Sequence, residues 1–183
     1  MNSRLLWILV LGAAGFGVWQ HFSPYWNPPP IPFENPAYQL TPVASHSITG
    51  AVLSSKHYRS GEGSAVMPVD LAMAWGPMAD PVKYRRLDIS QRERFYYWKA
   101  DAQTLADLGR ESIESNTANI HCVPASEEIR EALFRIQRDD RVTLKGQLVD
   151  ITGPDRNWST SRSRNDTGPG ACEILLVEEI LPE

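Results

Sequence analysis

Hydrophobic and polar positions divide the chain into three stretches. Leu5 to Trp19 holds no charged or strongly polar side chain. As a helix rising 1.5 Å per residue it would span about 22 Å, against a hydrocarbon core of about 30 Å. Residues 1–22 are therefore expected to form an N-terminal transmembrane helix, short but helped by interfacial Trp7 and Trp19. A cleaved signal peptide is the alternative, although no A-x-A site follows the apolar run. Residues 23–44 carry seven of the fourteen prolines and predict a stiff, extended linker.

Residues 45–183 alternate in the manner of a folded domain. Strand patterns cover 47–54, 65–75, 95–98, 119–123, 141–151 and 172–180, and 158–162 suggests a strand returning after the Gly153-Pro154-Asp155 turn. A short helix is expected over 101–113. The clearest helix is 127–138: Ser126 is a good N-cap, Glu127 and Glu128 suit the positive end of the dipole, and Ile129, Leu133 and Ile136 form one stripe. The expected class is α+β and β-rich. It would be an antiparallel sheet or a small OB- or SH3-like barrel with one or two short helices, preceded by the membrane helix.

Several stretches together resemble a family of uncharacterised bacterial exported or membrane-anchored proteins. They are Pro68–Asp80 (PVDLAMAWGPMAD), Ile89–Arg92 with Tyr97-Trp98, Ser115–His121, Val142–Val149 and Arg164–Glu173. The resemblance implies export and assigns no activity to any residue.

Charge adds topology. Arg4 precedes the apolar segment and the next basic residue is Lys56. The positive-inside rule then places the N-terminus in the cytoplasm and the domain in the periplasm of a bacterial cell, with one pass through the inner membrane. The net charge of −4 gives no reason to expect nucleic acid as a partner. Locally the balance differs. Residues 83–99 hold six bases and two acids, interleaved with Tyr84, Tyr96, Tyr97 and Trp98, whereas 166–183 hold five acids and no base. Arg92, Arg94, Trp98, Trp158, Arg162, Arg164 and Trp75 are thus a candidate binding face for an envelope protein, an anionic lipid or a polysaccharide. The competing expectation is that the basic strand pairs internally with the acidic C-terminal one.

Candidate chemistry is sparse. Cys122 and Cys172 would close a loop of about 50 residues as a disulfide, stabilising by about 3–4 kcal/mol; two separate thiols are equally consistent with the spacing. Of the four histidines, His121 sits among polar neighbours, yet none has metal-ligand spacing, so neither a metal nor a cofactor is signalled. Asp166-Thr167-Gly168 reads as a turn rather than half of an aspartic protease site. The function expected is a membrane-anchored binding or assembly module with no evident catalysis. The alternative is an envelope hydrolase using His121 with Asp70 or Asp166 and a nearby serine.

Overall fold

A computed structural model describes residues 37–162 and 172–183. The expected anchor, most of the linker, Arg164 and Asp166 lie outside the described residues. No helix among those described is long and apolar enough to cross a membrane.

The described chain is β-rich with a few short helices. The strands are β1 (Gln39–His57), β2 (Val69–Ala74), β3 (Asp88–Arg92), β4 (Phe95–Lys99), β5 (Thr117–Pro124), β6 (Arg141–Thr152), β7 (Asn157–Trp158) and β8 (Glu173–Pro182). The helices, numbered in chain order, are α1 (Pro81–Tyr84), α2 (Ala102–Leu108), α3 (Arg110–Ser115) and α4 (Glu127–Arg135). The main sheet runs β1-β2-β5-β8-β6-β7, and a further β1–β6 pairing returns it to its first strand. Five strands therefore form a closed ring, while β3 and β4 make a separate hairpin. The sheet is mixed, not antiparallel throughout, because β5 and β8 pair in parallel.

β1 is long enough to serve two neighbours. Its first part, Gln39 to Ala51, pairs with β6, and Ala51 to His57 pairs with β2. Strand structure thus begins inside the stretch expected to be linker. Pro42 is accommodated because the β1–β6 register shifts between Pro42 and Ala44, relieving the ladder of its missing donor. Gly146 lies where the β6–β8 register shifts, and a Cβ there would meet the Leu176 carbonyl oxygen. Only glycine allows the two backbones to approach so closely.

The ring has buried residues on both faces of its wall. Val52, Leu71, Met73, Ile120, Cys122, Leu144, Leu175 and Val177 come from all five strands and form the interior, which Leu133 of α4 and neighbouring Ile136 help to fill. The alternate residues face outward into two smaller clusters. Leu53, Ala72 and Ala74 lie under Met78, Tyr84, Leu87 and Ile113, and Val123, Ile174 and Leu176 pack with Met67 and Ile151. This two-sided cover explains why all six residues of β2 are buried and why it does not alternate like a half-exposed strand.

Helix α4 starts as the sequence predicts, with the Ser126 hydroxyl accepting from the Ile129 N–H at 3.3 Å. It ends at Arg135, earlier than Arg138, because Ile136 is extended and Asp139 takes a positive φ of 76°. The helix expected over 101–113 is two helices broken at Gly109, whose φ is 75°. Of 158–162, only Trp158 is in a strand, since the Thr160 N–H donates to the Asp150 carboxylate at 2.9 Å.

Candidate functional site

The site is built on the outer face of the ring wall. Asp70 on β2 and His121 on β5 are direct register partners, so their side chains meet on one face. Asp70 is fully buried, and its Oδ1 lies 2.9 Å from His121 Nδ1. The ring N–H is off the line to that oxygen, so the contact is mainly one of charge. His121 also lies beside Cys172, at the entrance to β8, and the two line the same cavity.

Register explains that second contact. His121 pairs with Ile174 in parallel, and Cys172, two positions earlier, shares the outward face of Ile174. Cys122, by contrast, pairs with Leu175 and points inside the ring. Of the two alternatives for the cysteines, the structure has the separate thiols: both are free, and the strand wall separates their side chains. Burial pushes the Cys122 thiol up, which marks it as an inert core residue.

A hairpin turn holds the carboxylate from above. β3 and β4 are joined by Glu93 and Arg94, with φ values of 52° and 70°, the sign a tight two-residue hairpin needs. Neither is glycine, so the turn costs about 1–2 kcal/mol per residue. Arg94 offsets this through its contacts. Its Nη1 donates to the Met67 carbonyl at 2.7 Å and to Asp70 Oδ1 at 3.0 Å, and its Nη2 donates to the Glu62 carbonyl at 3.0 Å. The guanidinium lies 3.7 Å from the Tyr58 ring centroid. Asn119 Nδ2 donates to the Arg94 carbonyl at 3.1 Å, while Gln91 Nε2 donates to Asn119 Oδ1 at 2.7 Å.

The electrostatics follow from one buried carboxylate facing two cationic side chains. Burial opposes a charge on His121, but Asp70 and the Cys172 sulfur outweigh it and raise its pKa to about 9. His121 is therefore an imidazolium at neutral pH. Burial, reinforced by Asp70, pushes the Tyr58 hydroxyl up to about 12. Because the folded His121 value lies above the ordinary histidine value of 6.5, its contribution to stability is complete below pH 6.5 and is lost as pH rises to about 9. Denaturation midpoints should fall across that interval, and His121→Gln should flatten the fall. An equally steep decline in the variant would assign it to other groups.

A cavity of about 340 Å³ opens beside the charged cluster. His121, Cys172 and Arg94 line its polar side; Met67, Phe95, Trp158 and Ile174 form its apolar walls. Arg156 reaches across the rim to Glu62, with Nη1 at 3.0 Å from Oε1.

The expected basic-aromatic face is distributed over several places. Arg94 and Trp158 reach the cavity. Arg92 stacks over Tyr97 with its guanidinium 4.5 Å from the ring centroid, and Trp98 lies under Arg110 at 5.2 Å. Arg162 pairs with Asp150 at 3.2 Å, and Trp75 packs against the barrel interior cluster. The acidic C-terminal strand pairs with β6 instead of with the 83–99 stretch: Lys145 meets Glu179 at 2.9 Å and Arg141 meets Glu183 at 3.2 Å. Among the described residues, no group of three or more His, Cys, Asp or Glu side chains is placed to hold a metal ion.

The sequence singled out Asp70 and His121 but did not join Cys172 to them as a reactive group. Comparison of the chain with protein-family models, with curated proteins and with solved structures finds no match.

Proposed function

We propose that this protein is a cell-envelope binding module, an OB-type barrel tethered to the bacterial inner membrane by residues 1–22, with the cavity beside His121 as its ligand site. The ring order β1-β2-β5-β8-β6, the parallel β5–β8 pair and the placement of α4 between β5 and β6 support the OB assignment. In such barrels the face of the second and third ring strands, flanked by the first and last loops, is the usual ligand surface. The observation that carries the reading is the position of the cavity. It lies against β5 and draws Glu62 and Met67 from the loop after β1, and Arg156, Trp158 and Cys172 from the connection between β6 and β8.

Fold analogy locates the surface; the residues describe the ligand. Half-buried Trp158 offers a flat face at the cavity, and Arg156 with Glu62 offers charge and hydrogen bonds at the rim. That combination suits a saccharide chain of the envelope, whose rings stack on aromatics and whose hydroxyls take hydrogen bonds. The uncharged N-terminal segment, the proline stretch and the resemblance to exported bacterial proteins fit a domain held outside the cytoplasm.

Detergent-solubilised full-length protein should change its tryptophan fluorescence on titration with envelope polysaccharide. Trp158→Ala should weaken that binding about tenfold or more with little change in melting temperature. Wild-type protein that gives no saturable response, or a variant that binds equally well, would overturn the reading. A C-terminal reporter active only outside the cytoplasm tests the topology independently, and cytoplasmic activity would refute it.

A further inference from the structure

We infer that Cys172, His121 and Asp70 form a nucleophilic thiol site that transfers or hydrolyses carboxylic ester or thioester acyl groups. The inference deepens the binding reading, because it puts chemistry in the same cavity. It rests on three placements. Cys172 and His121 share the outward face of neighbouring strands and line one cavity, where the sulfur favours the charged imidazole. His121 is held from its Nδ1 side by a fully buried carboxylate 2.9 Å away. The thiol borders a cavity whose other walls include Met67, Phe95, Trp158 and Ile174. A nucleophile, an acid–base group on it and a third group orienting that acid–base group are the parts that acyl transfer requires.

The charge state favours sulfur over a hydroxyl as nucleophile. A serine needs a neutral histidine to take its proton, and His121 is an imidazolium at neutral pH. A thiolate works with an imidazolium, which stabilises it and then acts as an acid. Ser159 lines the same cavity, but it is Cys172 that sits at the start of the strand paired with His121. Asp70 touches no substrate in this scheme; it is a positioning residue that balances the imidazolium and fixes its ring.

The Cys172 thiolate attacks the acyl carbon, forming a C–S bond and moving the carbonyl π pair onto oxygen. Collapse breaks the bond to the leaving alkoxide or thiolate, which takes the His121 proton and departs neutral. Water then attacks the thioester while neutral His121 takes its proton. The C–S bond breaks, the carboxylic acid leaves, and the thiolate–imidazolium pair is restored. The net reaction consumes one water and needs no oxidant, reductant or cofactor.

Full-length protein treated with p-nitrophenyl acetate should release a burst of nitrophenolate stoichiometric with protein, with the acetyl group mapped to Cys172 and absent from Cys122. Cys172→Ser should abolish the burst, and folded His121→Gln should slow it about 100-fold or more. Iodoacetamide provides a readout that survives a misfolded His121 variant. Wild-type Cys172 should alkylate about tenfold or more faster than a free cysteine derivative at neutral pH, and buried Cys122 should be spared. Absence of acetyl on Cys172, or alkylation no faster than the free thiol, would overturn the proposal. A burst without polysaccharide binding defeats the binding reading alone, and binding without a burst defeats this inference alone.

Discussion

Replacing Asp70 with Ala should destabilise the domain by about 3–5 kcal/mol, one of the two largest effects expected of a single substitution. The carboxylate is fully buried and takes Arg94 at 3.0 Å and His121 at 2.9 Å on the same oxygen. Its removal leaves two cationic groups facing each other across a vacated site. His121 can respond by giving up its proton, but Arg94 cannot. The guanidinium must then draw away, and with it goes the anchor of a hairpin turn whose two residues sit at positive φ. Asp70→Asn should cost less than Ala, because an amide oxygen still accepts from Arg94. Urea denaturation of the two variants beside wild type gives the comparison. Equal midpoints for Ala and wild type would mean that the cluster does not stabilise the fold.

The second large effect belongs to Gly146. Alanine there would set its methyl against the Leu176 carbonyl oxygen and close to the Glu178 N–H. A flexible side chain could move aside, but these are backbone atoms in β8, bonded to β6 on both sides of the register shift. Relief requires the β6–β8 ladder to open where it closes the ring. A loss of about 3 kcal/mol or more is expected, read as a lowered melting temperature. Retention of wild-type stability would mean that the two strands do not approach as closely as the ring requires.

These two positions show why legibility in the sequence was uneven. Helix α4 was readable because its cap, dipole charges and apolar stripe all lie within a dozen neighbouring residues. β6 was readable for a similar reason: Val142, Leu144 and Leu148 alternate with polar residues. Asp70 was named only as one of two carboxylates, with Asp166, that could partner His121. What could not be read was register between distant strands. Cys122 and Cys172 each fell correctly in or beside a strand, yet a disulfide depends on which face each one occupies. The parallel pairing of His121 with Ile174 decides that, and no local pattern encodes it. The same pairing brings Cys172 to His121. The basic stretch misled in a different way. Arg94 contributes to positive charge in any count along the chain, but its guanidinium is spent on Asp70 and on two backbone carbonyls.

Ring closure also bears on when the domain can fold. β1 waits for β6 across an interval holding β2 to β5, and β8, which follows every other strand of the ring, must slot between β5 and β6. Such pairings have high contact order, and the loop-closure entropy comes due before the contacts repay it. A partial chain therefore has open edges and no enclosed core, so folding is expected to await the last ring strand. Under the proposed export of the domain, lateness of this kind would be an asset, because an unfolded chain is what a narrow translocation pore admits.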